Sequence, residues 1–110
     1  MTAPGMQFDV TTVDGIEFRV RIVGEVDLAT IGALGEALAE IAVAVTPGRR
    51  LVVDVGRVTF LSAAGVRVLM QTGERVCSAG GAFAIDPVSS VVERVMKACG
   101  FGDRVGLVPR

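Results

Sequence analysis

Apolar and polar residues alternate with a period of two over the first quarter of the chain. Phe8 and Val10 sit among polar neighbours, and Ile16, Phe18, Val20 and Ile22 interleave with Glu17, Arg19 and Arg21. With Asp14-Gly15 between them, the two runs predict half-buried strands joined as a hairpin. The period then changes. After Gly24-Glu25-Val26-Asp27, the residues Ile31, Leu34, Leu38 and Ile41 recur at helical spacing, with Asp27 placed to cap the helix. Gly32 and Gly35 each weaken that helix by about 1 kcal/mol relative to Ala unless close packing compensates.

Thr46-Pro47-Gly48 ends this helix, and Leu51 to Val55 reads as a strand that is apolar at nearly every position, as in the centre of a sheet. A second helix is expected from about Ser62 to Ser78. Val66, Leu69, Met70, Gly73, Val76 and Cys77 form its inner stripe, and Arg67, Gln71, Glu74, Arg75 and Ser78 lie opposite. Gly80-Gly81 stops it, and Ala82 to Ile85 makes another short strand. Pro87 and a Ser90/Glu93 capping box open a third helix, with Val92, Val95, Met96 and Cys99 inward and Gly100 as its stop. The order is ββαβαβα, with a terminal strand at Leu107-Val108 left open. It predicts one α/β domain with a mixed sheet of four to five strands, about three helices and parallel central strands joined by right-handed crossovers. Residues 1–5 are expected to be loose, leaving 6–110 as the domain.

At 110 residues and 51% hydrophobic composition, the chain has apolar material for a single core. A domain of this size buries roughly two-thirds of its unfolded surface and needs no staples. The net charge of −1 gives no electrostatic case for nucleic acid. There is no apolar run of membrane-spanning length and no leader-like N-terminus, so a cytoplasmic protein without a membrane partner is the expectation. The chain has no His, no Gly-x-x-x-x-Gly-Lys phosphate loop and no cluster of metal ligands. An enzyme is therefore disfavoured, and neither a metal nor a cofactor is expected.

The most informative stretch is Leu51-Val-Val-Asp-Val-Gly-Arg-Val-Thr-Phe-Leu-Ser-Ala-Ala-Gly65: a strand, a short loop and a helix that starts at small residues. A helix start presents unpaired N–H groups and the positive end of the helix dipole. This segment resembles the switch loop of anti-sigma factor antagonists, the STAS-domain family. Their loop usually reads Phe/Ile-Leu/Met-Asp-Ser-Ser/Thr-Gly, and the first Ser after Asp takes a phosphate. Gly65 fixes the register, so Ser62 stands at the family's Asp, Ala63 at its phosphoserine and Ala64 at the next position. Two further segments carry the resemblance: Gly24-Glu25-Val26-Asp27-Leu28-Ala29-Thr30, and Val91 through Arg104 followed by Leu107. Together they span about Phe8 to Val108.

The resemblance implies a STAS-like fold and a non-catalytic partner-switching regulator of transcription in a bacterium. Such a protein binds a kinase-like anti-sigma factor and so frees a sigma factor; phosphate on the loop blocks the contact by adding charge where the partner docks. The partner-binding surface would be Thr59, Ser62, Ala63, Ala64, Gly65 and Arg67. Ala63 offers no acceptor, so the usual switch cannot operate there, and the protein is constitutive or differently regulated. Ser62 reads foremost as a helix cap, with Ser62 and Thr59 both open as displaced acceptors. Asp54 within the apolar strand, and the Glu25/Asp27 pair, read as structural rather than catalytic. Cys77 and Cys99 are a candidate redox pair, against which stands the plainer reading of buried inert thiols. An alternative keeps the fold and changes the role: some STAS modules without the phosphoserine are subunits of lipid-transport ATPases or scaffolds of signalling assemblies. A homodimer also stays open.

Overall fold

The hairpin predicted at Asp14-Gly15 organises one side of the sheet. The computed structural model describes residues 2–3, 5–45 and 47–100. In it β1 (Thr2–Ala3), β2 (Met6–Val13) and β3 (Glu17–Val26) are antiparallel neighbours. Asp14 and Gly15 both take positive φ, 55° and 68°, and the Ile16 N–H donates to the Val13 carbonyl at 3.1 Å. That turn matches the right-handed twist of the flanking strands and favours residues that tolerate the left-handed region.

The rest of the chain alternates helix and strand as the periodicity predicts: α1 (Ile31–Ala44), β4 (Arg50–Leu61), α2 (Ala63–Ser78), β5 (Ala82–Val88) and α3 (Ser90–Ala98). Because α1 and α2 carry the chain back across the sheet, β3, β4 and β5 are parallel neighbours. The five strands lie in sequence order, β1-β2-β3-β4-β5. One sheet face, with Phe8, Val20, Ile22, Leu51, Val53, Phe83 and Ile85, packs with Leu34, Leu38, Val66, Leu69, Val76, Val92 and Met96 of the helices into a single core. The strand positions between them, including Asp9, Thr11, Arg19 and Arg21, are outside that core. On that open face Glu17 pairs with Arg50 at 2.9 Å and with Arg19 at 3.4 Å.

Ahead of β2, Thr2 and Ala3 pair with Gln7 and Met6, and the Gly5 carbonyl accepts the Glu25 N–H at 2.8 Å. Gly24 makes that approach possible: its φ is +102°, and a Cβ there would strike the Gly5 carbonyl. β4 and β5 run longer than the apolar stretches at Leu51–Val55 and Ala82–Ile85, because β4 continues through bulges that interrupt the alternation. The cap of α1 is Thr30, not Asp27, which instead closes the preceding turn. The cap of α3 is Ser89 rather than Ser90: its Oγ accepts the Val92 N–H at 3.2 Å and donates to the Val58 carbonyl at 3.0 Å. Glu93 pairs with Lys97 one turn on, at 3.0 Å. Leu107-Val108 and the matching tail beyond Gly100 lie outside the described residues.

Candidate functional site

The C-terminal ends of β3 and β4 meet the start of α2 at one pole of the sheet, and three local devices hold them. At the end of β3, Asp27 Oδ1 accepts the N–H groups of Ala29 at 2.9 Å and Thr30 at 3.2 Å. Thr30, fully buried, accepts the Asp27 N–H at 2.9 Å and donates to the Glu25 carbonyl at 3.0 Å. Short polar side chains favour such turns because they satisfy nearby backbone groups that the helix ladder does not reach. Asp27 builds this corner with its carboxylate, and Glu25 contributes its backbone carbonyl.

At the start of α2, Ser62 is the helix cap that its position predicts. Its backbone is extended and its Oγ accepts the Gly65 N–H at 3.1 Å, filling one of the orphan donors of the first turn. Its own N–H donates to the Val26 carbonyl at 2.9 Å, tying α2 to the end of β3. Gly65 is buried beneath this junction. A Cβ there would lie 2.6 Å from Leu61 Cδ1 and 3.0 Å from Val26 Cγ1, so the helix reaches its place only with the smallest residue at 65. Ala63 and Arg67 are exposed, whereas Ser62 and Ala64 are half-buried.

β4 arrives at the pole through two irregularities. Asp54 is half-buried mid-strand, and its Oδ1 accepts the Gly56 N–H at 3.0 Å where the pairing with β3 skips. Its role is structural, as expected, but it holds this bulge rather than the loop. Further on, Gly24 pairs with Val58 and Glu25 with Phe60, which leaves Thr59 as an extra residue without a partner on β3. Bulges of this kind redirect side chains. Thr59 and Phe60 are consecutively exposed as a result, while Val58 and Leu61 on either side are buried.

Two residues of this pole escaped the sequence reading as site residues. Phe60 is 48% exposed and Leu28, in the turn after β3, is 85% exposed. They flank the Ser62–Val26 hydrogen bond on the chain, since Phe60 registers with Glu25 and Leu28 follows Val26 by two residues. In an apolar run such as Val58-Thr59-Phe60-Leu61 nothing in the periodicity distinguishes an exposed Phe from a core one. The signal was the unmatched Thr.

The cysteines are not brought to this site. Both are free thiols: Cys77 is half-buried on α2, and its pKa is raised by desolvation. Cys99, expected inward, is the exposed C-cap of α3. A shallow depression of about 630 Å³ lined by Gln71, Glu74, Arg75, Ser78 and Ala79 lies on the C-terminal half of α2, away from the helix start. Among the described residues no three His, Cys, Asp or Glu side chains are grouped to hold a metal, and no helix is long and apolar enough to cross a membrane.

A mixed sheet under one layer of helices, with a capped helix start at the ends of its parallel strands, defines a small α/β domain with a built pole. A family model described as "Mlab, STAS domain" matches residues 11–109, and the chain belongs to the STAS-domain family. It is similar to the crystal structure of an anti-sigma factor antagonist from Mycobacterium paratuberculosis, with a TM-score of 0.80 and 27% identity over 100% of this chain and 92% of that one. It shares its fold with the anti-sigma factor antagonist SpoIIAA in its unphosphorylated form: TM-score 0.69, 21% identity, 88% of this chain and 84% of that one. The phosphorylated form of this Bacillus cell fate determinant gives a TM-score of 0.68 at 19% identity, over 88% and 86% of the two chains. No curated protein sequence matches the chain.

Proposed function

We propose that this protein is a non-catalytic, cytoplasmic anti-sigma factor antagonist. It binds a kinase-like anti-sigma factor through the pole around the start of α2 and thereby releases a sigma factor for transcription. The observation that carries this reading is the pair of exposed apolar side chains, Leu28 and Phe60, beside the helix start. Large side chains left in water on a built and hydrogen-bonded corner favour burial against a partner, and aromatic anchors are what protein interfaces enrich. Thr59, Ser62, Ala63, Ala64, Gly65 and Arg67 complete the surface, with Ser62 and Gly65 acting from beneath as cap and spacer.

Ala63 is exposed at the first position of α2 and has no hydroxyl, so the surface carries no phosphate at that point. The same observation supports the second reading, in which the domain is a constitutive subunit of a lipid-transport ATPase or a signalling scaffold. Partner identity separates them. The direct experiment adds the purified chain to a preformed complex of anti-sigma and sigma factor and follows sigma release by size-exclusion chromatography. Release in proportion to added chain supports the antagonist. An intact complex, with capture of an ATPase subunit instead, supports the second reading.

A further inference from the structure

α1 is apolar around its whole circumference. Of its 14 residues only Glu36 and Glu40 are polar, and the rest are Ala, Gly, Ile, Leu and Val. A helix of that composition belongs in an interior, whereas a surface helix carries one apolar stripe. The other two helices follow the surface rule: α2 turns Arg67, Gln71, Glu74 and Arg75 to water, and α3 turns Glu93, Arg94 and Lys97. Yet α1 buries only Leu34, Leu38 and Ala42, and Gly32, Glu36, Glu40 and Val43 are exposed. Their spacing of three to four residues puts them on one face, opposite the core. Val43 is 83% exposed at one end of this face, and Leu28, 85% exposed, stands just before the other. No other large apolar side chain among the described residues is as exposed.

The two carboxylates decide what covers this face. They lie one turn apart, neither is bonded to any described residue, and α1 has no basic residue. A second copy of α1 laid across the first brings only more Glu to the seam, and like charges repel. A bilayer of anionic lipid is repelled for the same reason. We infer that the outer face of α1 docks an amphipathic helix of the partner, one whose apolar stripe is edged by Lys or Arg residues a turn apart. Its basic residues meet Glu36 and Glu40, and its apolar stripe covers Val43. Open space at Gly32 and Gly35 lets the two backbones come close. Leu28 joins this face to the pole, so the inference rests on the docking proposed there and extends the same partner's footprint along α1.

Two measurements test it. A photoreactive phenylalanine analogue replaces Val43 in the full chain, which is crosslinked in its source cells, and the adduct is mapped by mass spectrometry. The expected adduct is a helical segment of the anti-sigma factor with Lys or Arg one turn apart. It should disappear when Glu36→Lys and Glu40→Lys are combined. No adduct, an adduct to a second copy or to lipid, or one indifferent to the charge reversal overturns the assignment. The anti-sigma factor is then titrated into the double variant without the crosslinker. The fold should hold, because both positions are exposed, and binding should weaken at least about tenfold. Wild-type affinity in that variant, with loss in Phe60→Asp, removes α1 from the footprint and leaves the pole. A basic helix crosslinked from a protein other than an anti-sigma factor defeats the partner proposed above and leaves the helix site standing.

Discussion

The Ser62 N–H donates to the Val26 carbonyl at 2.9 Å, and this one bond fixes where α2 begins relative to the end of β3. Gly65, one turn into α2, lies against the side chains of the same junction, Val26 and Leu61. The pole therefore depends on a residue with no side chain. Gly65→Ala should cost about 1–3 kcal/mol by overpacking, because Leu61 and Val26 are both buried and have little room to move. Urea denaturation of the variant measures it, and a loss of partner binding beyond the fraction unfolded would show that the junction had also shifted.

Ser62→Ala removes the cap from α2 while keeping the Ser62–Val26 backbone bond. A stability loss of roughly 1 kcal/mol is expected, with partner affinity nearly unchanged. A purely structural Ser62 accounts for both results. A large change in affinity with little change in stability would make it a contact residue.

Ala63→Glu separates helix stability from docking. A carboxylate in the first turn interacts favourably with the helix dipole, so stability should hold or rise by about 0.5 kcal/mol. Residue 63 is exposed on the surface proposed for docking, so the same charge should weaken partner binding about tenfold or more. Thermal melting and calorimetric titration of the same preparation give the two numbers.

The hairpin, the order of strands and helices, and the Ser62 cap were all legible in the sequence, because each follows from a short-range rule: a period, a turn dipeptide or a capping residue. The features that were not legible depend on register between distant segments. Asp27 looks like the cap of α1, but it closes its own turn and the cap of the helix is Thr30. The expected strand ends at Val55, and only the unmatched residue against Gly24 and Glu25 shows that Thr59 and Phe60 both turn outward. Leu28 gave no warning either, since one apolar residue in a turn carries no period. The family resemblance supplied the loop, and the structure supplied the exposed apolar side chains beside it.

Gly32 and Gly35 lie in α1 with open space where a Cβ would stand, so no close packing compensates for their helix-weakening effect. Gly32→Ala and Gly35→Ala should each stabilise the protein by about 0.5–1 kcal/mol. Chemical denaturation checks this, and a loss of stability would mean that α1 has a contact at those positions.

The two thiols should react in order. Desolvation raises the pKa of Cys77, so at neutral pH less of it is thiolate than of an ordinary cysteine, and alkylation should gain on it only as the pH rises. Cys99 is exposed and should be labelled first. Mass spectrometry after timed alkylation reads the order. Loss of both thiols together under mild oxidation would instead favour a disulfide between them.

The pole built by Val26, Ser62 and Gly65 is proposed to present Leu28 and Phe60 to an anti-sigma factor. Calorimetric titration of a kinase-like anti-sigma factor from the source cells into wild type, Leu28→Asp and Phe60→Asp tests it most directly. Both side chains are exposed, so both variants should fold with melting curves close to wild type. Saturable binding by the wild type and at least about a tenfold loss in each variant are expected. Wild-type affinity in both variants would contradict it.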